Sequence, residues 1–213
     1  AWLGALDEAG KANGWKIVMV TKTGCPIADV TVYAAATEVK NDAYLQCDEW
    51  RPNALAYVNS LQPAMVVLPM LTRRTVVGMG YDGSTAAWQR GLGATIDVAR
   101  TSGAKVLVVG DVPKTKGDSV PGCVGSHRND LRVCANSRAD AVKTARLLPV
   151  AATAVEHGAT YYDVSNWFCT QEICPVVIGG IVVFRDEHHI TDTFARYRAP
   201  NMAEAIRAAF ATR

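Results

Sequence analysis

Hydrophobic and polar positions along this chain follow two rhythms. Trp2, Leu3, Leu6 and Ala9 recur at helical spacing and stop at Asn13-Gly14, a pair suited to closing a helix. Lys16-Ile17-Val18-Met19-Val20 then reads as a strand, and residues 21–47 as a long loop rich in turn residues. Residues 49–61 read as a helix with Pro52 in its first turn, where the missing N–H costs nothing. The apolar run Ala64-Met65-Val66-Val67-Leu68 lies between Pro63 and Pro69, and Lys105-Val106-Leu107-Val108-Val109 is the clearest buried strand. Between them, Ser84 opens a helix to about Ser102, ended by Gly103. After a second long loop, residues 111–136, Ser137-Arg138-Ala139-Asp140 approximates a capping box and opens a helix to about His157-Gly158. Tyr161 and Tyr162 fall in a short strand, and residues 176–183 form another apolar run. Thr191 opens a C-terminal helix that Pro200 interrupts before it resumes to Phe210.

Strands thus alternate with helices, and the strands are apolar throughout, as expected where both faces are covered. The pattern predicts an α/β fold: a three-layer α/β/α sandwich with a mainly parallel sheet, its active site outside the carboxyl ends of the strands. A chain of 213 residues reads as one domain, 1–213. The net charge of +2, with basic residues scattered, gives no reason to expect a nucleic-acid partner. No apolar run approaches the ~18–20 residues of a bilayer span. No signal peptide is read at the start, so any exporting segment is expected outside these residues.

Six cysteines sharpen the picture. Each consecutive pair flanks a loop-like segment rich in Gly, Pro, Asn or Asp. The expected disulfides are therefore Cys25–Cys47, Cys123–Cys134 and Cys169–Cys174, which would place the chain in an oxidising compartment. The alternative is six reduced thiols in a cytosolic protein. A structural zinc site is set aside because no C-x-x-C occurs.

The candidate chemistry lies in Phe184-Arg185-Asp186-Glu187-His188-His189-Ile190-Thr191. One turn of backbone can bring the Asp186 carboxylate to Nδ1 of His189, fixing the tautomer and leaving Nε2 free to take a proton from a nucleophile. A metal held by Asp186, His188 and His189 is not expected, because adjacent side chains diverge and His127 and His157 are the only other histidines. His157, at a helix end before Gly158, reads as structural. Trp15, Trp50, Trp88 and Trp167 read as packing residues more than sugar platforms. Arg185 either holds an anionic substrate or pairs with Glu187 or solvent. Gly117-Asp118-Ser119 spells a nucleophile signature but lies in a Lys/Pro/Gly loop rather than at a strand-to-helix turn, so Ser119 is only a minor alternative nucleophile.

Several segments together resemble one family. They are Asn13-Gly14-Trp15, Lys22-Thr23-Gly24-Cys25-Pro26, Cys47-Asp48-Glu49-Trp50, Trp88, Val106-Leu107-Val108-Val109-Gly110-Asp111-Val112-Pro113 and Pro121-Gly122-Cys123. Asp163, Asn166-Trp167-Phe168-Cys169, Cys174-Pro175 and Arg185-Asp186-Glu187-His188-His189-Ile190-Thr191 complete the set. In order and spacing the chain resembles the SGNH (GDSL-type) hydrolase domain fused behind bacterial family-three membrane acyltransferases, a flavodoxin-like fold. The resemblance implies that Asp186 and His189 supply the D-x-x-H motif of a catalytic triad. It also implies that the nucleophilic serine and first strand lie upstream of Ala1, so that these residues alone lack their nucleophile block and show little esterase activity. No G-x-N-D follows Val109, so the oxyanion donors stay unassigned.

The resemblance implies an extracytoplasmic O-acyltransferase or esterase acting on acyl, chiefly acetyl, esters of a cell-envelope glycan or glycolipid. Its partners would be an acyl donor, a carbohydrate acceptor and a covalently attached membrane acyltransferase domain; no cofactor is expected. The competing expectation is a catalytically silent domain that binds or docks a glycan for that membrane partner.

Overall fold

The computed structural model describes residues 2–34, 42–80, 82–142 and 144–212. In chain order the elements are α1 (Leu3–Asn13), α2 (Leu45–Ser60), β1 (Met65–Pro69), α3 (Thr85–Ala99), β2 (Lys105–Val109) and α4 (Val120–Ser126). They continue with β3 (Asn136–Ser137), α5 (Arg138–Ala141), α6 (Thr144–Glu156), β4 (Thr160–Tyr162), β5 (Ile173–Cys174), β6 (Val177–Ile178), β7 (Ile181–Val182), α7 (Asp192–Tyr197) and α8 (Ala199–Ala211). They fall into two compact units that interleave along the sequence.

One unit comprises Val20–Asp111, Thr144–Tyr162 and Ala209–Arg213. It holds a parallel three-stranded sheet in the order β1-β2-β4, with Val66 opposite Val106 and Leu107 opposite Thr160. Trp88, Leu92 and Ile96 recur every fourth residue on α3 and are fully buried, packing with Val150 and Ala154 of α6 and with Val66, Leu68, Val106 and Val108. Leu107 and Val109 point to the other face of β2 and are equally buried, so an all-apolar strand is what this position demands. The chain has an α/β fold with a parallel sheet, as its pattern predicts.

Helix α2 begins four residues earlier than the pattern suggests, which makes Pro52 an interior residue. Tertiary anchors outweigh the backbone bond that proline forfeits. Cys47 is buried and bonded to Cys25, and buried Arg51 donates to Asp29 Oδ1 at 2.7 Å, Val30 O at 3.2 Å and Pro26 O at 3.3 Å. Ser84 does not cap α3; its hydroxyl accepts from buried Arg146 at 2.7 Å. Residues 35–41 of the predicted 21–47 loop lie outside the described residues.

The other unit comprises Ala1–Met19, Val112–Lys143 and Asp163–Ala208. Helix α1 packs on α7, and an aromatic cluster fills the space beside them. Trp2 meets Trp167 edge-on at 5.5 Å, and Phe168 stacks on Phe184 at 5.8 Å and leans on Phe194 at 5.3 Å. Trp88 and Trp167 are therefore core residues, while the half-buried Trp15 lies under the Arg207 guanidinium. Gly14 ends α1 in the left-handed conformation (φ 68°), as its position predicts. The predicted strand at residues 16–20 does not form. A strand exists through its ladder, and among the described residues none pairs with this run, so Ile17, Val18 and Met19 stand exposed at 37–47%. The 176–183 run is a hairpin, because Gly179 and Gly180 both take positive φ, as a tight two-residue turn requires. The predicted helix from Ser137 divides at Val142 into α5 and α6; Ser137 does cap α5, accepting from the Asp140 amide at 3.1 Å. The second long loop contains α4 and a short 3-10 turn, Leu131–Cys134.

The cysteines pair as Cys25–Cys47, Cys123–Cys134 and Cys169–Cys174, each bridge within one unit, and no cysteine is free. With separations of 22, 11 and 5 residues, loop entropy assigns them about 3, 3 and 2 kcal/mol. Three such bridges belong to an oxidising, extracytoplasmic environment.

Candidate active site

The Asp186–His189 turn sits between β7 and α7 and is clamped on both sides. Before it, Phe184 bridges to Ile190, and the Arg185 amide donates to His189 O at 2.9 Å. After it, the Thr191 hydroxyl donates to Val182 O at 2.7 Å and caps α7 by accepting from the Phe194 amide at 3.1 Å. From below, buried Thr115 places its hydroxyl 2.9 Å from Glu187 O and 2.7 Å from Gly117 O.

Within this frame Asp186 has two tasks. Its Oδ1 accepts from the amides of His188 at 3.0 Å and His189 at 2.7 Å, which sets the turn. Its Oδ2 lies 2.7 Å from His189 Nδ1. Burial raises the Asp186 pKa, but the two amides and the His189 ring outweigh it and hold the carboxyl at about 2. At neutral pH the carboxylate can only accept, so Nδ1 of His189 carries the proton and Nε2 presents a lone pair. The ring is 41% exposed, so that lone pair is open to a substrate or nucleophile. Arg185 lies beside Asp186, Nε to Oδ2 3.6 Å, rather than pairing with Glu187.

The structure also shows what the sequence concealed. Thr115, between two lysines, carries no signal of its own, yet it is the buried support of the turn. His188 and His189 do not diverge as adjacent residues in an extended segment would; the turn brings their ring centroids to 4.1 Å. Ser119 is exposed, and its hydroxyl caps α4 by accepting from the Gly122 amide at 3.2 Å, ordinary turn chemistry. His157 caps nothing catalytic: its Nδ1 meets Asp97 Oδ1 at 2.9 Å and its ring lies against Gly93.

In the other unit, the loops following β1 and β2 are tied together by Asp111. Its buried carboxylate accepts from the Thr72 amide at 2.8 Å and the Thr72 hydroxyl at 3.0 Å. This gives the Gly110-Asp111-Val112-Pro113 motif a structural task.

The model of the family described as "SGNH domain (fused to AT3 domains)" matches residues 1–204. Among solved structures, the periplasmic domain of a lipopolysaccharide acetyltransferase from Salmonella ser. Paratyphi A is similar, with a TM-score of 0.70. It is 14% identical, over 97% of this chain and 79% of that one, a likeness of fold. Among curated proteins, none matches the chain.

Proposed function

The chain belongs to the family of SGNH domains fused to AT3 domains, and from that premise we propose that it transfers acyl groups, chiefly acetyl, to a cell-envelope glycan or glycolipid. The observation that carries this reading is the Asp186–His189 pair, pre-formed at 2.7 Å with its outer nitrogen open. The similar Salmonella domain is the periplasmic part of a lipopolysaccharide acetyltransferase, and three disulfides suit the same side of a membrane. Among the described residues no helix is long and apolar enough to cross a membrane. In this reading a membrane acyltransferase domain, covalently attached at the N-terminal side, tethers the domain and delivers the acyl group.

The chemistry runs in two balanced halves. A serine upstream of Ala1 attacks the carbonyl of the acyl donor while His189 Nε2 takes its proton; Asp186 stabilises the imidazolium. Collapse of the tetrahedral intermediate expels the donor alcohol or thiol, which takes that proton back, and leaves the acyl on serine. A sugar hydroxyl then gives its proton to Nε2, attacks the acyl-enzyme, and departs as the ester while the serine is reprotonated. Water in place of the sugar gives hydrolysis.

The test uses the longer protein that includes the upstream segment, assayed for acetyl-ester turnover. His189→Ala lowers kcat by about 10⁴–10⁶ with circular dichroism unchanged, while Ser119→Ala keeps its rate. Full activity in His189→Ala ends the assignment.

A further inference from the structure

The acid–base reading leaves His188 without a task, although the turn places it inside the same cluster. Its Nδ1 lies 3.9 Å from Asp186 Oδ1 and 3.3 Å from Glu187 Oε1, and its ring stands 4.1 Å from that of His189. One ligand atom from each of Asp186, His188 and His189 lies within 4.8 Å of the others. Two imidazoles and a carboxylate are a donor set that Zn²⁺ accepts, at bond lengths of about 2.0–2.2 Å. The three side chains are 35–41% exposed, so an ion reaches them from solvent and small rotations close the spacing. Asp186 and Glu187 together bring two negative charges, opposed by Arg185. Among the described residues the other cluster of this kind, Cys123, His127 and Cys134, has both sulfurs locked in a disulfide and offers only one imidazole. No cysteine is free to compete as a thiolate.

We propose that Asp186, His188 and His189 form a zinc site whose occupation switches off the acid–base pair. For its effect on catalysis, though not for binding, this rests on the function proposed above. The geometry dictates the switch. The nitrogen of His189 that faces the cluster is Nδ1, the one hydrogen-bonded to Asp186. Zinc coordinates the lone pair of a neutral imidazole, so ligation at Nδ1 moves the single ring proton, through solvent, to Nε2. Nε2 then carries N–H instead of a lone pair and cannot accept the proton of the nucleophile. His188 fixes the ion in place but takes no part in the reaction, which makes it the residue that separates binding from catalysis.

The test titrates the chain with zinc chloride near neutral pH by calorimetry, in parallel with zinc inhibition of acetyl-ester turnover in the longer protein. One ion binds per chain. His188→Ala weakens binding about tenfold or more, by loss of about 1.4 kcal/mol or more. The zinc-free turnover of that variant equals wild type, and its inhibition midpoint moves by the same factor as its affinity. Absence of saturable binding to the wild type overturns the proposal, as does equal affinity in His188→Ala. Binding lost in His188→Ala but without effect on wild-type turnover overturns the switch. Should zinc bind as expected while His189→Ala keeps full activity, the catalytic reading falls and the metal site stands.

Discussion

Two histidines in this chain hydrogen-bond an aspartate through Nδ1, His189–Asp186 at 2.7 Å and His157–Asp97 at 2.9 Å. By bond length alone they are equivalent; what surrounds them is not. Asp186 is gripped by two backbone amides within a turn that a β-bridge, a helix cap and a buried threonine hold in place. Asp97 projects from α3 and is 58% exposed, and among the described residues no amide holds it. The outer nitrogens differ as well. The His189 side chain is 41% exposed and among the described residues its Nε2 has no hydrogen-bond partner, whereas the ring of His157 lies so close against Gly93 that a Cβ there would clash with its Nε2 and Cε1. The acid–base role proposed above asks for a fixed acid and an open far nitrogen, and of these two pairs the first meets both conditions.

The largest effect expected from this contrast is on rate. Asp186→Asn forces the wrong tautomer on His189 and lowers kcat by about 10⁴-fold, as the same change does in a serine-protease triad. Asp97→Asn, which disturbs a bond of similar length, leaves kcat unchanged and alters stability by at most about 1 kcal/mol, the range of exposed pairs. Steady-state kinetics on the two variants in the longer protein decides. Equal losses, or none, would remove the distinction.

A smaller effect tests the support beneath the turn. Thr115→Val removes the hydroxyl beneath Glu187 O and leaves a partly buried carbonyl with one partner fewer, at a cost of about 1 kcal/mol. A turn that relaxes by a fraction of an ångström misplaces His189, and kcat drops by about 10–100-fold with KM nearly constant. Thr115→Ser restores the hydroxyl and the rate. A residue of merely structural weight would instead lower the melting temperature and leave the kcat of the folded enzyme intact.

The sequence made the first pair legible because its chemistry is local. An acid three residues before a histidine needs only one turn of backbone, and the disulfides of neighbouring cysteines need only the loops between them. Strand β2 and the helical stripe of α3 were legible for a similar reason, since burial is written in the repeat of apolar residues themselves. What stayed hidden depends on partners distant in sequence. Residues 16–20 have the composition of a strand, but composition supplies no ladder. Pro52 lies inside α2 because Cys47 and Arg51 anchor the turn before it to a loop more than twenty residues away. Thr115 and Glu187 are 72 residues apart, and nothing near either announces the other.

The smallest effect concerns acid stability, and it reads how firmly the two amides and the His189 ring together hold the Asp186 charge. In the unfolded chain an aspartate titrates near 3.9; in the folded turn Asp186 titrates at about 2. Where the folded pKa is the lower one, the unfolded state takes up the proton first as pH falls. The stabilisation from Asp186 is therefore complete above about pH 5, where both states are ionised, and is lost progressively as pH drops through 4 toward 2. Because the side chain is partly exposed, solvent screens the effect, so the signature is a change of slope rather than a large shift. Melting temperature measured from neutral pH downward should fall less steeply below pH 4 in Asp186→Asn than in wild type. The curves of the two proteins, separated at neutral pH by the loss of ionic acceptors for the amides and for Nδ1, should converge as the wild-type carboxyl protonates. Parallel curves through that window would mean that the amides and the ring together do not hold the charge, and the contrast with Asp97 would then rest on the openness of Nε2 alone.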